Sequence, residues 1–103
     1  MRMLLRVSIP VDAGNAAAKA GTLGSTIQTI VAELKPEAVY FYADDNGHRA
    51  GSIIFDLKDP SDIPGIAEPW FLAFNASLSL RPVMTPEDLA KAVPAIDRAV
   101  KQY

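Results

Sequence analysis

Apolar and polar positions along this chain recur with two periods, two residues and about three and a half, and the changes of period mark out its elements. From Met3 to Ile9 the pattern alternates: Leu5, Val7 and Ile9 fall on one side, Leu4, Arg6 and Ser8 on the other. That is a strand, and Pro10 ends it because proline cannot donate to a ladder. Leu23, Ile27, Ile30, Val31 and Leu34 then recur at spacings of four and three, one face of an amphipathic helix. This helix should stop near Leu34, since Lys35 precedes Pro36 and is pushed out of the α region. Residues 11–22 between them mix alanines with glycines, and predict a loop with one or two helical turns.

Glu37 to Leu57 is the stretch around which the rest is organised. Two β-rich runs, Glu37–Asp44 and Arg49–Leu57, flank Asp45-Asn46-Gly47-His48. Asn-Gly between such runs is a strong hairpin signal, because both residues tolerate positive φ. Ser61 then offers an N-cap to a helix carrying Ile63, Ile66, Ala67, Trp70 and Phe74. Pro69 predicts a break or bend in it, by a missing amide and a ring clash four residues back. Asn75–Val83 alternates again. Thr85-Pro86-Glu87-Asp88 is the clearest helix start in the chain: a cap, a proline at the first position and two acids at the positive end of the dipole. Leu89, Val93, Ile96 and Val100 form its apolar stripe, with a bend expected at Pro94.

The order β-α-β-β-α-β-α matches the ferredoxin-like split βαβ plan, an α+β fold. Right-handed crossovers place the four antiparallel strands in order 4-1-3-2, with helices over one sheet face and one domain over residues 1–103. The strands agree on a partition. Val39, Phe41, Ile53, Phe55 and Leu57 join Leu5, Val7 and Ile9 against the helices. Leu4, Arg6, Ser8, Tyr40, Tyr42, Ser52, Ile54, Asp56, Ser77, Ser79 and Arg81 share the opposite, open face.

Composition narrows the partners. Half of the 103 residues are hydrophobic, the net charge is −2 and no block of like charges occurs, so nothing attracts nucleic acid or an anionic membrane. No run is apolar for long enough to span a bilayer and the first residues do not read as a signal peptide, so a cytoplasmic protein is expected. There is no cysteine and one histidine, His48, so thiol chemistry and a histidine-rich metal site within one chain are out; no metal or cofactor is expected. A solvated turn residue is the favoured reading of His48. Trp70 and Phe71 read as core or lid.

The open face is amphipathic. Arg6 and Asp56 read first as an ion pair, second as ligand contacts, and Tyr40 and Tyr42 as packing residues with a wet hydroxyl. Arg6, Tyr40, Tyr42, Asp56 and Arg81 are the ligand-binding candidates; no catalytic residue is singled out. A second copy laid over this face would explain its mixture of apolar and polar side chains.

The segments Val11-Asp-Ala-Gly-Asn-Ala-Ala, Lys35-Pro-Glu-Ala-Val-Tyr-Phe and Phe55-Asp-Leu-Lys-Asp-Pro-Ser-Asp-Ile-Pro-Gly-Ile-Ala-Glu-Pro resemble an uncharacterised family of short bacterial proteins. In plan these are similar to the dimeric α+β barrel superfamily. The resemblance implies a homodimer whose open sheets face each other. It also implies a small-molecule site between the sheets or between sheet and helices. Small monooxygenases and isomerases belong to that superfamily, as do proteins of unclear activity, and fold alone does not choose among them. The expectation is a homodimer binding a small organic, anionic ligand. A purely structural or regulatory homodimer, or a cofactor-independent monooxygenase or isomerase, is the alternative. RNA binding, which the strand plan also permits, lacks a basic, aromatic strand to support it.

Overall fold

A computed structural model describes all residues, 1–103. Strands β1 (Arg2–Ile9), β2 (Ala38–Ala43), β3 (Arg49–Asp56) and β4 (Ser77–Pro82) form one antiparallel sheet in the order β2-β3-β1-β4, the ferredoxin-like arrangement. Helices α1 (Val11–Lys19), α2 (Leu23–Leu34) and α3 (Ile63–Phe74) belong to the two crossovers, and α4 (Pro86–Gln102) follows β4.

The register sets out the faces row by row. On the helix side Val39, Ile53, Leu5 and Leu80 run across the sheet, and beside them Phe41, Gly51, Val7 and Leu78. Leu5, Ile53, Trp70 and Phe74 are the largest fully buried side chains, so α3 closes the core over the central strands. The open face carries the row Tyr40, Ser52, Arg6, Ser79 and, nearer the hairpin, Tyr42, Ala50, Ser8, Ser77.

Four local expectations are corrected. Residues 11–19 form a nine-residue helix, not a loop. Gly14, which lowers helix propensity, is buried against the sheet, and a Cβ there would lie 2.7 Å from Nη1 of Arg49 and 3.3 Å from Ile9; close approach, not flexibility, is its use. The second is the break at Pro69, one of the two outcomes expected there: α3 runs as one helix from Ile63 to Phe74 through it. Burial of Trp70 and Phe74 on the next turn holds the segment helical against the lost hydrogen bond. The third is the N-cap before α3. Asp59, not Ser61, accepts the hydrogen bond, from the Ser61 amide at 2.9 Å. The fourth is the hairpin turn, where only Gly47 takes positive φ, at 74°; Asn46 does not. The Gly47 amide returns to the Asp44 carbonyl and the Asp44 amide to the His48 carbonyl, a longer loop than a two-residue turn.

Helix α4 stands away from the rest. It begins with Thr85 as the expected N-cap, to which the Asp88 side chain adds a capping box, and runs unbroken through Pro94, but nearly every residue along it is exposed. Leu89, Val93, Ile96 and Val100 are all exposed. The radius of gyration is 17.1 Å, against about 13 Å for a compact chain of this length. The helix therefore leaves its own open sheet face uncovered.

Candidate functional site

Two hollows meet at the hairpin end of the sheet, one on each face. The inner one lies between sheet and helices. At its wall Gly51 stands in the helix-facing row between Val7 and Phe41, where every neighbouring row carries a side chain. Phe41 leans over the glycine, so that a Cβ at 51 would come within 3.2 Å of its ring. The cavity is about 370 Å³, lined by Val7, Ile9, Ile27, Phe41, Gly51 and Trp70, with His48 and Arg49 at the hairpin. That volume lies in the range of small-molecule sites. Trp70 is only 2 % exposed, and its indole Nε1 has no hydrogen-bond partner in the protein. A buried indole N–H normally has one. Arg49, on the helix side opposite Ile9, forms no ion pair.

The outer hollow, about 210 Å³, lies on the open face between Arg6, Ser8, Tyr42, Asp44, Ser77 and Ser79. The Tyr42 hydroxyl and Ser52 Oγ are 2.6 Å apart. Ser52, and then the Arg6 guanidinium, hold the Tyr42 phenol below its usual pKa against the opposing effect of burial. Arg6 too has no acidic partner.

Asp44, Ser8 and His48 link the two hollows. Asp44 Oδ1 accepts the amides of Asn46 and His48, each at 3.0 Å, and Oδ2 accepts the Ser8 hydroxyl at 2.7 Å. The His48 amide first, then Ser8, hold this carboxyl below the ordinary carboxylate range, so it is ionised and can only accept. Ser8 has one proton and gives it to Asp44. The contact of 3.2 Å between Ser8 Oγ and His48 Nδ1 is therefore an Nδ1–H donation. In the neutral ring this leaves Nε2 as the acceptor, on a residue that lines the inner cavity. Nitrogen-15 NMR of the sole histidine should show the Nδ1–H tautomer near neutral pH, and Ser8→Ala should shift it toward Nε2–H. An Nε2-protonated ring in the unmodified protein would contradict this network.

The five residues chosen from sequence share the open face but not one cluster. Arg6 and Tyr42 come together. Tyr40, opposite Ser52, is on the edge strand and largely exposed. Arg81 stands opposite Leu4, one row further from the hairpin. Asp56 is at the other end, opposite Arg2, bound to the N-terminal ammonium and to Lys58, each at 2.7 Å. Lys58 and then that ammonium lower its pKa from 3.8 to about 2. The expected Arg6–Asp56 pair is thus replaced: Arg6 faces Ser52 and Ser79 across the strands. Ser8, Asp44, Arg49 and Gly51 were not singled out. Only Gly51, a glycine inside a strand pattern, carried a signal in the sequence. No three His, Cys, Asp or Glu side chains converge as metal ligands would, and no helix is long and apolar enough to cross a membrane.

No family model matches the chain, and no curated protein matches its sequence. Solved structures do resemble it. One is 5-chloro-2-hydroxyhydroquinone dehydrochlorinase from Burkholderia phenoliruptrix AC1100 in complex with 2,5-dihydroxybenzoquinone, with a TM-score of 0.62 at 11% identity, covering 84% of this chain and 97% of that one. Another is a formyltetrahydrofolate deformylase from Pseudomonas putida KT2440, with a TM-score of 0.51 at 16% identity, covering 81% of this chain. The match takes in only 29% of the deformylase. Such identities speak for the fold, a small α+β sheet domain of ferredoxin-like plan.

Proposed function

We propose that this chain binds a small organic anion in the inner cavity, as a cytoplasmic homodimer of the dimeric α+β barrel type built from single domains over residues 1–103. The observation that carries the reading is the cavity itself: about 370 Å³, mostly apolar, and ending at an arginine without an acidic partner. A flat, partly oxygenated ring would lie against Phe41, Ile27 and Val7, with an anionic oxygen toward Arg49 and a hydroxyl toward His48. The dehydrochlorinase, which matches over nearly its whole length, supplies a probe of that chemistry in 2,5-dihydroxybenzoquinone. A second reading puts the anion on the open face, between Arg6 and the low-pKa Tyr42, with Tyr40, Arg81 and Asp56 on the walls once a second sheet closes over it. The depressed phenol pKa favours it.

Calorimetry with 2,5-dihydroxybenzoquinone, together with the indole N–H signal of the sole tryptophan, tests both. The inner site expects Arg49→Met to weaken binding roughly tenfold or more, from loss of a charge-assisted hydrogen bond, with Arg6→Met close to unchanged and the Trp70 N–H shifted. The reverse order of the two variants selects the open face. No heat and no shift would remove hydroxyquinones as ligands and leave the structural homodimer as the better reading.

A further inference from the structure

We infer that α4 is an arm that lies on a second copy of this chain, in the groove between that copy's α2 and β2, and that it covers the mouth of that copy's inner cavity. The inference rests on the stacked-sheet homodimer proposed above.

The arm has the marks of a helix made to be buried. Its stripe, Leu89, Val93, Ile96 and Val100, is continuous at spacings of four and three, and all four are about half exposed or more. In proteins most of a helix's stability comes from packing its amphipathic face. Even with its capping box, α4 needs a surface, and on its own chain its stripe stays exposed.

A receptor of matching chemistry exists on the same molecule, far from the root of α4. A groove of about 390 Å³ runs between α2 and the edge strand β2, walled by Gly24, Ile27, Gln28, Val31, Val39 and Phe41. Phe41 faces the helix side yet is 62 % exposed. It also walls the inner cavity, so whatever fills the groove closes the cavity. Chain order puts β2 and β4 on opposite edges of the sheet, which is why an arm leaving β4 passes this groove by.

Symmetry supplies the occupant. When two open faces stack about a two-fold axis running along the strands, the β4 edge of each copy lies over the β2 edge of the other. Each α4 then starts beside the groove it fits, and about 25 Å of helix is enough to follow α2. The exposed area agrees. The chain shows 7007 Å² to solvent, against roughly 5,700 Å² for a compact protein of its mass. The excess exceeds the about 800 Å² that each partner buries in a standard interface.

The absence of cysteine makes the test clean. Phe41→Cys on one chain is mixed with Leu89→Cys, Val93→Cys, Ile96→Cys or Val100→Cys on another, under mild oxidation, with Arg98→Cys on the opposite side of α4 as control. Gln28→Cys is a second receptor position should Phe41→Cys fold poorly. Disulfide heterodimers from stripe positions and loss of the product with Arg98→Cys are expected. Homodimers of Val93→Cys alone, with none to position 41 or 28, would mean that arms pair with each other and would overturn the inference. A Phe41→Cys/Val93→Cys chain that closes on itself would overturn it as well. A dimer in sedimentation with no crosslink refutes the arm alone; a monomer refutes arm and homodimer together.

Discussion

Ile53→Asp is expected to give no folded protein. Ile53 is 1 % exposed and lies on the helix side of β3, between Leu5 and Val39, in the one cluster that joins the sheet to the helices. No charged side chain is buried in the chain. The carboxylate must either be buried unpaired or drive the helices off the sheet, and the lost isoleucine leaves its contacts unmade in both cases. Each effect is worth several kcal/mol, against a total stability of roughly 5–15 kcal/mol for a domain. Only 13 residues are buried in the chain, so the core has little in reserve. Phe55→Asp, on the same face, should behave alike. Ile54→Asp, one residue along and on the open face, is the control and should remain folded. Far-ultraviolet circular dichroism and a thermal melt decide; a soluble Ile53→Asp protein melting like the unmodified one would mean that the two faces are reversed.

Tyr42→Glu combined with Ile54→Glu is expected to convert the protein to monomers without loss of fold. Ile54 shares an open-face row with Leu4 and Ala38, and Tyr42 stands two residues along the neighbouring strand from Tyr40. Together they give this face an apolar patch that α4 does not cover, since the apolar stripe of that helix is itself exposed. A patch of that kind is buried most simply by a copy of itself. Each substitution would occur twice in such a dimer, setting four carboxylates against one another in a desolvated layer. Sedimentation velocity reads the outcome. A doubly substituted protein that still sediments as a dimer when Val93→Glu also spoils the α4 stripe would show that the sheets do not stack.

Much of this architecture was legible from alternation alone. Four strands, their two faces and the sheet order follow from side-chain period and crossover handedness, and the hairpin and the Thr85 cap of α4 from turn and cap residues, all of them local or nearly so. Where local propensity conflicted with tertiary packing, packing prevailed. Gly14 argued against a helix but lets α1 approach Arg49 and Ile9. Pro69 argued for a break, but α3 is pinned by Trp70 and Phe74. The candidate site was less legible, because it depends on which strands lie side by side. Arg6 and Asp56 suit each other in charge, yet they stand four residues apart along the ladder, about 13 Å. The Asp44–Ser8–His48 network joins residues some forty apart in sequence, and only the pairing of β1 with β3 brings them into contact.

The amino-acid sequence by itself determined the ferredoxin-like sheet, its helix-facing core and a last helix with one apolar stripe, since each is written in periodicity. Only the tertiary structure decided where space is left. A glycine in register between Val7 and Phe41 lets the Phe41 ring lean in over the wall of the inner cavity, and the apolar stripe of α4 stays exposed on its own chain. Cavities and unpartnered faces are properties of how elements meet, and no run of residues encodes them alone.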